Sequence, residues 1–203
     1  MSSSRTGACG WDWPEAPRLL EDIYNFEDVL QVGCIINTFI RRSDIVRIAC
    51  IAQLVNVIAP IMTDPGGSAW RQTIYWPFML ASKHGRGTAL QLAVEVPTYD
   101  AAAADKVPWL DISGVHDSEA GVLTFFAVNR HGSEALEVEV ALERFNAKSV
   151  EHTIIRHDDL EARNTKDAPD NVSPVKSNGA ALNSKGMTLK LPPHSYSMVR
   201  VTL

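Results

Sequence analysis

The sequence predicts an α+β chain, a piece of an α/β fold followed by an antiparallel β-sandwich. Three observations carry this reading. "IVRIACIA" at 45–52 is nearly continuous in apolar residues and rich in β-branched ones, the pattern of a parallel strand covered on both faces. Segments of helical period flank it on either side. From residue 88 the period falls to two, in short runs separated by Pro, Gly and Asn, as in an antiparallel sandwich.

Residues 1–24 read as irregular, a Ser-rich start followed by "GWDWPEAPRLLEDIY". Asn25 has the side chain of an N-cap, and Glu27 and Asp28 fall in the first turn, where the helix dipole favours acids. Behind it Phe26, Val29, Leu30, Gly33, Ile36 and Ile40 recur at helical spacing, and Arg41 and Arg42 close the last turn. The apolar run at 45–52 ends in one uncharged polar residue, Gln53, and a second apolar run leads to Pro65-Gly66-Gly67. "WRQTIYWPFMLASKHG" then predicts a second helix with Gly85 at C′. Pro77 within it requires a kink or a late start. Further on, "LEVEVAL" (136–142), "MTLKL" (187–191) and "VRVTL" (199–203) alternate strictly. "ALQLAVEV" and "GVLTFFAV" predict strands with more buried faces, and the polar segment 157–186 one large loop.

Composition narrows the function classes. The 203 residues are 45% hydrophobic and 21% charged, enough apolar material for a sizeable core. Net charge is −5 and no basic run exceeds two residues, which argues against a nucleic-acid partner. No apolar stretch approaches the roughly 20 residues that span a bilayer, and no secretory leader is visible at the N-terminus. Cys9, Cys34 and Cys50 are odd in number and far apart, consistent with reduced thiols in a cytoplasmic protein.

Functional side chains in α/β folds sit at the carboxyl ends of parallel strands, and Gln53 occupies that position. Its amide both donates and accepts, which suits a hydroxyl-rich ligand such as a sugar; the pattern alone favours a role in tying down the loop backbone. Trp70 and Arg71, where the loop meets the second helix, line a pocket or serve capping and packing. His84, His116, His131, His152, His157 and His194 show no metal-ligand spacing. "HDD" at 157–159 reads as a solvated loop, and the acids of "LEVEVALE" as the outer face of a sheet. No G-x-S-x-G, P-loop or GxGxxG is present.

The long block "IACIAQLVNVIAPIMTDPGGSAWRQTIYWPF", with "LLEDIYNFEDVLQVG" before it and "HDDLEARNTKDAPDNVSPV" and "LPPHSYSMVRVTL" after it, closely resembles the C-terminal part of glycoside hydrolase family 51 α-L-arabinofuranosidases. The likeness runs from about Trp11 nearly to the end. It implies the last β/α units of a (β/α)8 catalytic barrel over residues 1–86, followed by a jelly-roll-like β-sandwich over 87–203. In that frame the helix from Asn25 resembles barrel helix seven, "IVRIACIA" strand eight, and the helix after Gly67 helix eight. Gln53 then matches a substrate-binding glutamine that hydrogen-bonds the arabinose in the −1 subsite.

The activity implied is a retaining glycosidase releasing terminal non-reducing α-L-arabinofuranosyl groups. One Glu protonates the leaving oxygen and a second attacks the anomeric carbon, with carboxyls about 5–5.5 Å apart. In the family both lie upstream of the helix at Asn25. Glu15 and Glu21 match the segment after the nucleophile, not the nucleophile itself. The expectation is therefore a chain with no catalytic carboxylate of its own, inactive alone. Its partner is an arabinofuranosyl-containing saccharide; no cofactor, metal, nucleic acid or membrane is implied, and the full-length enzyme is expected to be a homo-oligomer in the cytoplasm. The alternative is a standalone sandwich serving as a carbohydrate-binding or interaction module, which would array exposed aromatics on one face.

Overall fold

The computed structural model describes residues 22–203. Helix α1 (Phe26–Arg41) begins with a reciprocal capping box. The Asp28 amide donates to Asn25 Oδ1 at 3.1 Å, and the Asn25 amide to Asp28 Oδ2 at 2.9 Å, so two amides without helical partners are satisfied at once. Helix α2 (Tyr75–His84) starts late rather than kinking. Pro77 becomes its third residue, inside the first turn, where amide hydrogens have no intrahelical acceptor in any case. Gly85 is the C-cap itself, at φ −84° rather than in the left-handed region expected of C′, and its amide donates to the Ala81 carbonyl at 2.7 Å. Between the helices, β1 (Ile61–Thr63) and β2 (Ala69–Arg71) form a hairpin with the Pro-Gly-Gly break at its turn, Gly66 taking φ +67°.

The expected strand at 45–52 does not form. Residues 47–55 make no backbone hydrogen bond to another described residue, and Ile48 is 83% exposed. The physical reason is the lack of neighbours: a parallel strand requires hydrogen-bonded partners beside it and cover on both faces. Among the described residues nothing pairs with this segment, and no barrel strand is present.

The rest is antiparallel β-structure. The strands are β3 (Thr88–Ala89), β4 (Thr98–Ala101), β5 (Ala104–Pro108), β6 (Leu110–Asp117), β7 (Val122–Asn129), β8 (Leu136–Ala141), β9 (Ser149–Arg156), β10 (Val175–Ser177), β11 (Ala180–Asn183), β12 (Gly186–Leu191) and β13 (Ser195–Thr202). One sheet has the order β10-β9-β13-β7-β6-β3, a second β11-β12-β8, and β4 and β5 make a separate hairpin. The alternation of "LEVEVAL" and "MTLKL" appears as pairs: Val138 opposite Leu189 and Val140 opposite Met187. On the outer face Glu137 is opposite Lys190, their charged atoms 3.7 Å apart.

Two expectations change here. Of "ALQLAVEV" only Ala89 pairs as strand, although Leu90, Leu92 and Val96 still turn into the sandwich core. The segment 157–186 contains β10 and β11 rather than one continuous loop.

The six-stranded sheet separates two cores. Leu110, Ile112, Leu123, Phe125, Val199 and Val201 pack against Leu142, Met187, Leu189 and Leu191 of the small-sheet side. On the opposite face Phe126, Val128, Ile155, Tyr196 and Met198 pack against Phe26, Val29 and Leu30 of α1 and Trp76 and Leu80 of α2. The molecule is thus three layers: helices, large sheet, small sheet. Each such side chain, fully buried, contributes roughly 1.5–3 kcal/mol. Gly33 of α1 faces the ring of Tyr196: a Cβ there would lie 2.6 Å from Cδ2, so glycine lets the helix approach this closely.

Candidate functional site

Gln53 lies on the exposed loop that leaves the 45–52 segment, with backbone φ +61°. Asn56 (φ +60°) and Val57 (φ +61°) share this left-handed conformation, unfavourable for residues with a Cβ, β-branched Val above all. Such a conformation persists only when its surroundings fix it, and from Asn56 to Ala59 they do. The Asn56 side chain donates to Thr63 Oγ1 at 2.9 Å and accepts from the Thr63 amide at 2.7 Å. Gln72, 1% exposed, donates to the carbonyls of Ala59 (2.8 Å) and Asp22 (3.1 Å) and accepts from the Tyr24 amide at 3.0 Å. Tyr24 adds a hydroxyl bond to the Ile58 carbonyl at 3.0 Å. The loop-tying glutamine of this region is therefore Gln72, while Gln53 makes no hydrogen bond to a described residue.

Residues 157–174 strap this region to the sandwich. Asn164, 2% exposed, donates to the carbonyls of Arg71 (3.1 Å) and Val172 (2.9 Å) and accepts from the Val172 amide at 2.7 Å. The Trp76 indole donates to the Val172 carbonyl at 2.8 Å, and Asn25 Nδ2 to Glu161 at 3.0 Å. Lys166 reaches Asp64 in the β1–β2 turn at 2.8 Å, and that carboxylate raises the Lys166 pKa. "HDD" is part of the same strap: the Asp159 amide donates to His157 Nδ1, and Arg156 pairs with Asp158.

An apolar groove of about 640 Å³ opens beside the loop, lined by Ile35 and Phe39 of α1, Val46, Ile48 and Ile51 of the intervening segment and Phe78 of α2. Arg47 and Arg86 also line it; no described carboxylate does. The described residues therefore offer hydrogen-bonding amide and apolar surface here, but no acid–base pair. Glu15 and Glu21 fall outside the described residues. Arg71 lies 5.5 and 5.1 Å from the ring centroids of Tyr75 and Trp76, so it packs over the start of α2, and Trp70 lies in β2 opposite Met62.

The histidines are dispersed, and the described residues contain no cluster of three or more His, Cys, Asp or Glu suited to a metal. His152 is buried between the sheets with Nε2 2.9 Å from Ser197 Oγ, and burial lowers its pKa. Burial pushes the Cys34 thiol up to about 12, leaving it protonated and inert. Of the aromatics after residue 88, Phe125, Phe126 and Tyr196 are core. Tyr99 and Trp109 stack on each other at 3.9 Å, and Trp109 also meets His131, so these rings face one another rather than forming an open array.

The sequence-based reading missed Gln72, Asn164 and Asn37. Each is a buried amide with at least one partner far away in sequence, and no local signal marks them.

Comparison with known proteins places this architecture. The family model described as the α-L-arabinofuranosidase C-terminal domain matches residues 5–195. The intracellular exo-α-(1→5)-L-arabinofuranosidase of Halalkalibacterium halodurans is 44% identical over 190 residues, covering 93% of this chain and 38% of that protein. The enzyme of the same name from Streptomyces lividans is 44% identical over 201 residues, 98% of this chain and 30% of its own length. A solved family 51 α-L-arabinofuranosidase from Bifidobacterium longum superposes with a TM-score of 0.84 at 36% identity, over 93% of this chain and 36% of that one. The chain thus spans between a third and two-fifths of most relatives it matches. With the model match covering nearly its whole length, the chain belongs to the α-L-arabinofuranosidase C-terminal domain family.

Proposed function

We propose that the chain is the C-terminal part of a retaining exo-α-L-arabinofuranosidase acting on terminal non-reducing α-L-arabinofuranosyl groups, and that Gln53 hydrogen-bonds the arabinose. The observation that carries this is 44% identity to an intracellular exo-α-(1→5)-L-arabinofuranosidase across 93% of the chain. In this reading residues 1–86 belong to a (β/α)8 barrel, with α1 as helix seven, 45–52 as strand eight and α2 as helix eight. Residues 87–203 are the sandwich domain, and the whole enzyme is a cytoplasmic homo-oligomer. Both catalytic carboxylates come from upstream, so the chain alone has no turnover. The exposed amide of Gln53 on a loop fixed from beneath fits a ligand-binding role, because its hydrogen-bonding capacity is not consumed by the protein.

The test is a chimera in which this chain replaces the matched part of the H. halodurans enzyme, assayed by nitrophenol release from an aryl α-L-arabinofuranoside. The chimera should turn over and the 203-residue chain should not. Gln53→Ala in the chimera should lower kcat/KM at least several-fold at unchanged melting temperature, as one hydrogen bond to a neutral hydroxyl contributes about 0.5–1.5 kcal/mol, more if it strengthens in the transition state. A folded but inactive chimera overturns the assignment. Unchanged kinetics with a large loss of stability overturns the role of Gln53.

A further inference from the structure

The large and small sheets are joined between β10 and β11 by a two-residue crossing. Strand β10 ends at Ser177 against β9 of the large sheet, and β11 starts at Ala180 against β12 of the small one, with only Asn178 and Gly179 between. Glycine is required here: a Cβ at 179 would lie 2.7 Å from the Lys190 carbonyl oxygen and 2.9 Å from His152 Nδ1. The Gly179 carbonyl accepts from the Lys190 amide at 2.7 Å. Its own amide meets only the Ser177 hydroxyl among the described residues, at 3.1 Å, a single neutral bond of modest net strength. Asn178 is exposed. Of the nine asparagines, seven have side chains held in hydrogen bonds, and Asn146 and Asn178 do not. Asn146 precedes Ala147, whose Cβ crowds the following amide; Asn178 alone precedes glycine.

We propose that Asn178–Gly179 is a site of spontaneous deamidation and backbone isomerisation. The Gly179 nitrogen attacks Asn178 Cγ, closing a cyclic imide. The bond from Cγ to Nδ2 breaks, and Nδ2 leaves as ammonia, carrying the proton shed by the attacking nitrogen. Water then opens the ring at either carbonyl and returns a proton to the Gly179 nitrogen. Opening at the main-chain carbonyl leaves the peptide link on Cγ and gives isoaspartate; opening at Cγ gives aspartate. Nucleophile and electrophile belong to adjacent residues, so no encounter is needed, and the freedom of glycine lets its nitrogen swing onto Cγ. The two products act differently on the fold. Aspartate adds a negative charge and leaves the backbone length as it was. Isoaspartate also inserts one main-chain atom into a crossing pinned at both ends, by Ser177 opposite His152 of β9 and by Gly179 bonded to Lys190 of β12. The isoaspartyl form therefore loosens the join between the sheets. Nothing in this chemistry involves the sugar site.

The test ages the complete 203-residue chain in neutral buffer beside a synthetic peptide of residues 174–182, and follows both by peptide mapping with tandem mass spectrometry. Asn178 of the folded chain should convert to a mixture of aspartate and isoaspartate at a rate within tenfold of the peptide's. Asn146, equally exposed and unheld but followed by alanine, should convert at least tenfold more slowly than Asn178. The isoaspartyl fraction, separated by chromatography, should unfold at a lower urea concentration than the Asn178→Asp variant, which has the charge without the extra main-chain atom. Intact Asn178 in the folded chain after ten half-lives of the peptide overturns the proposal, as does conversion of Asn146 at the same rate as Asn178. An isoaspartyl fraction with the urea midpoint of Asn178→Asp overturns the loosening of the join.

Discussion

Gly33→Ala sets two opposing effects against each other, and the geometry decides the sign. In an open mid-helix position alanine is favoured over glycine by roughly 0.5–1 kcal/mol. At Gly33 the added Cβ would lie 2.6 and 3.0 Å from Cδ2 and Cε2 of Tyr196 and 3.1 Å from Cγ2 of Val128. Carbon atoms pack best at about 3.5–4.0 Å, so ring and helix must separate by about 1 Å. The ring cannot yield easily: Tyr196 is 0% exposed, on a strand paired on both sides by β7 and β9. Overpacking of this kind costs about 1–3 kcal/mol, which outweighs the propensity gain. Gly33→Ala should therefore destabilise the chain by about 1–2 kcal/mol in urea titrations followed by far-UV circular dichroism. Combining it with Tyr196→Leu should remove most of the penalty, because the two sites share one contact. A single variant more stable than the parent would refute the claim that α1 is seated against the large sheet through this glycine.

Three further outcomes follow from buried polar groups. Asn37, 0% exposed, donates to Asp111 Oδ1 at 2.8 Å and accepts from Ser113 Oγ at 2.7 Å, so Asn37→Ala should cost about 1–3 kcal/mol in the same titration, chiefly by leaving the buried Ser113 hydroxyl without its acceptor, since Asp111 keeps the Arg41 guanidinium; no change would mean that α1 is not anchored to β6 through it. The Tyr196 hydroxyl is buried with no partner among the described residues, and Tyr196→Phe should be neutral or stabilising by up to about 1 kcal/mol, a clear loss showing that the hydroxyl is bonded. His152 and His84 both have pKa values lowered mainly by burial. The unfolded chain therefore binds more protons below pH ~6.5, and stability is complete above that pH and falls as pH drops, by at most about 1.4 kcal/mol per pH unit for His152 and by less for His84, which solvent screens. His152→Gln should flatten this dependence between pH 7.5 and 5, and an unaltered slope would show that His152 does not cause it.

The legible parts of the fold are those whose determinants are local. The capping box of α1 is written in Asn25 and Asp28, and the pairing of β8 with β12 in a strict alternation. The failure at 45–52 is informative because a continuous apolar run reports cover on both faces, not strand direction. The same pattern in "GVLTFFAV" is met by antiparallel β7, with Phe125 in the sandwich and Phe126 against the helices; at 45–52 no described residue supplies the cover. Strands β6 and β9 escaped notice because Ser113 and His152 interrupt their apolar runs, and each bonds to a side chain 45 or more residues away. Gln53 stands out in the sequence by its place at the end of an apolar run, but only the family resemblance gives it a contact with arabinose. Its exposed, left-handed loop could not have been read from its neighbours.

What fixes that loop is a chain of supports reaching back to the sandwich, and the supports differ in weight. The Lys166–Asp64 pair is short, but its side chains are 52% and 40% exposed, and solvent screens exposed pairs so that they contribute little. Asn164 is buried, and its amide joins the carbonyl of Arg71, at the end of β2, to both the amide and the carbonyl of Val172. Strand β2 pairs with β1, β1 ends at Thr63, and Thr63 holds Asn56, three residues from Gln53. From the other side Gln72 ties the Ala59 carbonyl to the segment entering α1. In the proposed role Gln53 requires a supporting shell to keep its geometry, and the supports nearest the loop are chiefly buried amides rather than surface charges. High salt should therefore leave the loop in place, whereas removing one uncharged amide, Asn164 or Gln72, should release it.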